Sequence, residues 1–493
     1  MSAMMPGARL RPHIAKLAMA GACLAIGAAL AAPTGLAALA AGAVLLAFVA
    51  YCAARPDTAL CMVVFLLVVI PQYAVLYLPG MPALPLSLGP LGILGGLLVL
   101  TALTARTPLQ RPRSPVTVAF LLYGLALLIA TMVAGNKDAV MLLLRTYAIP
   151  VLLFTLVLHY APTGEKAVRA MNWLLAATCI AAIYAVLEFS LKRNELLEKL
   201  VINADIDVSL KDSMAMFYLG TDAFSGDTFG QLIYRCFSFF TNPLEFGTFM
   251  TMVYPFALVH AVSVPETRLR RRYALAAVLC AIGIVLSFSR GPILALVLST
   301  FGVAVFLPRL RRIVLFSTAG LLLCFAAAWP VIGDRIQSRL NEVDNVTVRF
   351  KLWDVGAHVF TDHPLFGVGL SQYAKYEDGT IRSHRIGPFY EYGGSIEKIA
   401  TVDNHLIQLA AETGLVGLIA YGALLAVFFA TLYRVWRRHP VPFARHTALA
   451  LAAGGCNYLL NGLTITSYVL FIITMIFTFF LAITASLGAE VAA

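Results

Sequence analysis

Long apolar runs, separated by short polar stretches, recur along nearly all of the 493 residues. A run of ~18 or more apolar residues crosses the ~30 Å hydrocarbon core as a helix. The pattern predicts about fourteen spans, at 14–32, 35–53, 59–78, 86–104, 115–133, 139–158, 170–190, 238–262, 273–289, 292–307, 313–331, 405–434, 447–463 and 466–486. The expected fold class is therefore an all-α polytopic membrane protein. Two longer polar segments interrupt the pattern, at about 191–237 and 332–404. The second reads "GLSQYAKYEDGTIRSHRIGPFYEYGG" in part, unlike a flexible linker, and is long enough for a small subdomain. The chain divides into N-terminal helices (1–190), a core that includes the second polar segment (191–434), and C-terminal helices (435–493).

Composition agrees: 60% of residues are hydrophobic and only 12% charged, about half the charged fraction usual in soluble domains. The net charge of +11 calls for no nucleic acid. Arg106/Arg111/Arg113, Arg268/Arg270/Arg271/Arg272, Arg309/Arg311/Arg312 and Arg434/Arg437/Arg438/Arg445 fall in alternate short loops. With both termini inside, fourteen spans place every cluster in the cytoplasm, as the positive-inside rule requires. Both long polar segments are then extracytoplasmic. Arg9, Arg11 and Lys16 before an apolar run ending "AALAAP" resemble a signal peptide, but the next apolar run comes at once, so an uncleaved first span is expected. The eight cysteines lie in or beside apolar runs and lack metal spacing. No Walker or Rossmann fingerprint and no inverted repeat is present, and neither cofactor nor metal is expected.

Three helix starts stand out. In "SFSRGP" Arg290 precedes Gly291, which permits a tight reversal, and Pro292, which suits a first helical turn. In "YRCFSFFTNPLEFG" Arg235 precedes Asn242-Pro243, an N-cap followed by a first-turn proline. In "VDNHLIQLAAETGLVG" Asp403-Asn404 opens a third helix. A helix start presents free amides and the positive dipole end to an anion. Taken singly, the arginines read as interfacial residues on lipid phosphate, and Asp403 as an N-cap. Three starts on one outer face suggest one convergent anion-binding cavity. Arg145 lies about two turns into its span, where a charge needs a polar cavity or a partner such as Glu188. Both readings of it stay open, and the buried acids Glu245 and Glu412 are expected to pair with arginines. In the outer segment Arg349, Lys351, Trp353, Tyr373, Tyr376, Tyr390 and Tyr392 are candidates for sugar contact, with Trp353 favoured as core packing.

The stretches "R-x-x-S-F-x-x-N-P" at 235–243, "SFSRGP" at 287–292, "RFKLWDVGAHVFTDHPLFGVGLSQY" at 349–373 and "DNHLIQLAAETGLVG" at 403–417, in this order, resemble the O-antigen ligase and polymerase superfamily. The resemblance covers roughly 230–434. It implies a C-type membrane glycosyltransferase fold, in the bacterial inner membrane with a periplasmic site. It also implies transfer of a glycan from undecaprenyl diphosphate to a glycan acceptor. Arg235 and Arg290 match the family's two diphosphate-holding arginines. Where ligases carry a histidine followed by Asn, this chain has Asp403 followed by Asn404. His405 comes two positions later, about 200° around a helix. Asp403, Arg235 and Arg290 are thus the expected catalytic set, with Arg145, Asn242, Asn404, His405, Arg349, Lys351 and Tyr373 as substrate-binding candidates. The aspartate favours a polymerase of lipid-linked repeat units over a ligase to lipid A-core or protein. A flippase for the same lipid is the third reading. Expected partners are the lipid-linked oligosaccharide, the acceptor and membrane lipid, with a chain-length regulator as a further candidate.

Overall fold

The computed structural model of the protein describes residues 51–52, 54–73, 75–76, 84–86, 88–105, 114–197, 235–312, 344–373, 391–392, 395–396, 402–467 and 470–492. The spans expected at 14–32 and 313–331, and nearly all of 35–53, fall outside these residues. So do Tyr376 and Tyr390. The main helices are α1 (Pro56–Val69), α2 (Leu88–Ala105), α3 (Pro115–Ala134), α4 (Lys137–Tyr160), α5 (Gly164–Leu191), α6 (Pro243–Ser263), α7 (Thr267–Leu286), α8 (Arg290–Phe306), α9 (Asp344–Asp362), α10 (His405–Arg438), α11 (Pro442–Gly462) and α12 (Phe471–Ala492). Two antiparallel pairs of two-residue strands, β1 (Val75–Leu76) with β2 (Leu84–Pro85) and β3 (Glu391–Tyr392) with β4 (Ser395–Ile396), are minor ornaments. Six of the helices, α3, α4, α5, α6, α10 and α12, are long and apolar enough to cross a membrane.

Helix ends follow local chemistry. Ser114 caps α3 by accepting from the Val116 amide, and Gly135 closes it in the left-handed conformation (φ 63°). Asn136 at once caps α4. The span expected at 59–78 is shorter than its apolar run, because α1 stops at Val69. Pro71 restricts Ile70 to extended backbone and offers no amide to continue the helix. The last helix is the central one: 94% of its apolar window is buried, against 33% for α10. It touches α3, α4, α5, α6, α10 and α11.

α10 is broken. Gly414 adopts φ 64°, ψ −162°, and the backbone of 364–369 fills the gap. Val368 and Gly369 amides donate to the carbonyls of Ala411 (3.0 Å) and Glu412 (3.1 Å), and Leu415 and Val416 amides donate to Pro364 (2.8 Å) and Leu365 (3.2 Å). A helix break inside a bundle needs such internal partners, since hydrocarbon offers none. Gly367 and Gly414 have no room for side chains: a Cβ on either would collide with the backbone of the other segment. Gly414→Ala is expected to lower stability by about 2 kcal/mol or more. Gly422→Ala, farther along the same helix with open space at its Cα, should cost nothing. Thermal unfolding in detergent compares the two; equal midpoints would contradict the account.

Candidate functional site

The segment after Arg235 is held from one side by the end of α5. The buried carboxylate of Glu188 accepts from the amides of Phe237 (3.2 Å) and Ser238 (2.7 Å). Ser238 has a left-handed backbone (φ 54°), its hydroxyl donates to Ala181 O (2.8 Å), and Asn194 donates to its carbonyl (2.8 Å). On the other side the segment meets the turn between α7 and α8. The Cys236 amide donates to Leu286 O (3.0 Å). Arg235 donates from Nε to Ser287 O (3.2 Å) and from a terminal nitrogen to Ser289 Oγ (2.9 Å). The two arginine motifs are thereby joined, with Arg235 bonded to the residue that precedes Arg290.

The turn itself differs from expectation. The reversal is made by Phe288 (φ 46°), not by Gly291, and α8 begins at Arg290, so Pro292 is its third residue rather than its first. Gly291 is needed for space instead: a Cβ there would stand 2.8 Å from Thr464 Oγ1 and 3.4 Å from Asn461 Oδ1. Arg290 is exposed and makes no hydrogen bond or ion pair among the described residues. The start of α6 packs on the same turn, for a Cβ on Gly247 would stand 2.8 Å from both Pro292 Cγ and Ser287 Oγ. Asn242 caps α6 by accepting from the Glu245 amide (2.8 Å). Glu245 in return accepts from the amide (3.0 Å) and hydroxyl of Thr241. Arg145 lies close enough to Glu245 to feel its charge, and it sits in a π-helical turn, Leu144–Ala148, that interrupts α4. Such turns are common at functional sites.

The third motif reaches the same place through the end of α11. Gly462 abuts His405, with a Cβ 3.3 Å from the His405 Cβ, while Asn461 and Thr464 abut Gly291. Asn404, not Asp403, is the cap of α10: its side chain accepts from Leu406 (3.1 Å) and Ile407 (3.2 Å) amides. Asp403 stands one residue before the cap in a left-handed conformation (φ 52°). His405 is buried, its ring 4.9 Å from that of Tyr421 and 5.6 Å from that of Tyr458. Among the described residues, five other than glycine have positive φ, and three of them, Ser238, Phe288 and Asp403, lie one in each motif. Aspartate tolerates that region, but for phenylalanine it is strained, and such strain gathers at functional sites.

Tyr373 is fully buried in a small core with Val359, Val402 and Ala411, against which Trp353 packs, so both rings serve packing. Arg349 and Lys351 lie on α9, and Tyr392 on β3. Glu412 accepts from the Ser371 amide (3.1 Å) and Gln408 (3.3 Å). The sequence reading overlooked the backbone role of Glu188, the serines flanking Phe288, and Asn461–Thr464. The signal for the last was a polar "NGLT" inside an otherwise apolar end.

Residues 275–422 match the O-antigen ligase family. The matched segment runs from within α7 to the middle of α10, taking in the Arg290 turn, α9, Asp403 and the break at Gly414. The resemblance is borne out over these residues, which hold the motifs at 287–292, 349–373 and 403–417, and ligase- or polymerase-like activity is implied by it. No curated protein matches the chain. Arg235 and the start of α6 lie upstream of the matched O-antigen ligase segment, and their contacts with the Arg290 turn attach them to it. The capping assignment has a direct consequence. Asn404→Ala should lower thermal stability by about 1 kcal/mol, whereas Asp403→Asn, which also tolerates positive φ, should leave the midpoint unmoved. An unmoved midpoint for Asn404→Ala would contradict the assignment of the cap to Asn404.

Proposed function

We propose that the protein is an inner-membrane polymerase of undecaprenyl-diphosphate-linked oligosaccharide repeats, serving exopolysaccharide, capsule or O-antigen synthesis at the periplasmic face. The observation that carries this reading is the bonding of Arg235 to Ser287 and Ser289, which sets two guanidinium-bearing segments side by side at the start of α8. The side is argued from charge. Arg268–Arg272 open α7, Arg309–Arg312 come after α8 and Arg437–Arg438 close α10, all at the end opposite the three motifs. Fourteen spans and a C-type glycosyltransferase architecture are part of the same proposal.

In the proposed reaction the acceptor hydroxyl oxygen bonds to the anomeric carbon as the bond from that carbon to the diphosphate oxygen breaks, with inversion. The electron pair leaves with the diphosphate, whose growing charge Arg235, Arg290 and the first amides of α8 stabilise. The hydroxyl proton passes to the Asp403 carboxylate, one residue before the Asn404 cap. Arg145, Asn242, Asn404, His405, Arg349, Lys351 and Tyr373 remain the proposed substrate side, the last through packing of the α9 subdomain. The matched family description favours a ligase as second reading.

One reconstitution separates the readings. Supplied with lipid-linked repeat units in detergent, a polymerase yields a ladder of longer lipid-linked chains. A ligase transfers only when its separate acceptor is added, and a transporter leaves chain length unchanged. Arg235→Ala and Arg290→Ala are each expected to cut turnover by about 100-fold or more, and Asp403→Asn by a similar factor if it is the base. Normal ladders from either arginine variant would refute the diphosphate assignment.

A further inference from the structure

The last turn of α5 touches both arginine-bearing segments with consecutive residues. Glu188, 1% exposed, receives the amides of Phe237 and Ser238. Its neighbour Phe189 stacks on Phe288, ring centroids 6.1 Å apart and planes 27° apart. One residue thus grips the Arg235 loop and the next rests on the residue that reverses the chain two positions before Arg290. We propose that Glu188 is a positioning residue that holds the Arg235 loop in the shape that sets its guanidinium beside Arg290. This rests on the reading of Arg235 and Arg290 as the diphosphate clasp.

The physical case begins with cost. A carboxylate out of water is unfavourable by several kcal/mol unless charge-assisted hydrogen bonds offset it. Glu188 obtains them from two successive amides, and two successive amides can converge on one carboxylate only if the loop curls between them. The loop turns again immediately after them, at the left-handed Ser238 (φ 54°). A left-handed serine costs of order 1 kcal/mol or more and persists only where its surroundings enforce it. The enforcement comes from α5 and the residues just beyond its end. Ser238 Oγ donates to Ala181 O, Cys236 Sγ contacts Ala185 O at 3.3 Å, and Asn194 holds the Ser238 carbonyl. Asn194 is itself fixed by the hydroxyls of Tyr73 (3.2 Å) and Tyr184 (3.1 Å). Of these partners only Glu188 brings a formal charge. Opposite, Arg235 reaches Ser287 O and Ser289 Oγ at hydrogen-bond length, a geometry that a shift of ~1 Å in the loop would undo.

A double-mutant cycle tests the proposal on the full-length protein in detergent, with two readouts. These are turnover of lipid-linked repeat units and affinity for undecaprenyl diphosphate. Glu188→Gln, with one acceptor oxygen where two are used, should lower turnover at saturating acceptor by about tenfold or more, within the range of coupled neighbours. The acceptor KM should stay constant. Combined with Arg235→Ala it should add nothing, because the group it positions is gone. Glu188→Asp keeps the charge but draws it back. It should give a smaller, equally non-additive loss, and it serves if the glutamine variant does not accumulate folded. Losses that multiply, or wild-type turnover from Glu188→Gln, would overturn the proposal. If the wild type binds undecaprenyl diphosphate yet elongates or transfers no glycan, the enzymatic reading fails and the affinity cycle alone decides the positioning claim. A wild type that binds no lipid diphosphate would remove both.

Discussion

The structure depends on satisfying a guanidinium at the end of an apolar bundle, and the bonds from Arg235 to Ser287 and Ser289 are where that is achieved. A guanidinium cannot shed its proton, so it needs water, an acceptor or an anion. Arg235 takes a carbonyl and a hydroxyl from the very turn that presents Arg290. The arrangement sets Arg235 against the residue that precedes Arg290. It is held by features that are each costly alone: a buried carboxylate at Glu188, a left-handed Ser238 and a left-handed Phe288. Their concentration around one place argues for function more than any one of them does.

The helices were legible from hydropathy because each expected span within the described residues overlaps a helix, although the one at 59–78 stops at Val69. The cap at Asn242 was also legible, since asparagine followed by proline has few other uses. Other features were not. Gly291 is required for space, not for the reversal made at Phe288, because its neighbours Asn461 and Thr464 come from the end of α11 some 170 residues later, and crowding of that kind leaves no mark on local propensity. The break at Gly414 needs the 364–369 backbone as its partner, so it too is a tertiary fact written as an ordinary helical glycine. The central place of α12 is set by packing, not by its apolar content, which resembles that of its neighbours.

The candidate site was half legible. The motifs gave Arg235, Arg290 and Asp403 as a set, and the contacts through Gly291, Asn461, Gly462 and His405 bring the three stretches to one end. The roles needed coordinates. A pattern of "DN" before a helix cannot tell which residue caps it, and the backbone resolves this by turning Asp403 left-handed and leaving the cap to Asn404. Likewise Glu188 reads in sequence as a partner for a charged side chain, whereas its oxygens receive backbone amides fifty residues onward.

The central claim is that Arg235 and Arg290 close on one lipid headgroup. A structure of the full-length protein with undecaprenyl diphosphate bound tests it most directly. The account predicts density for both phosphates at the start of α8, with an oxygen of the diphosphate within ~3 Å of each of the two guanidinium groups. A headgroup bound elsewhere, or contacted by one arginine while the other faces away, would contradict it.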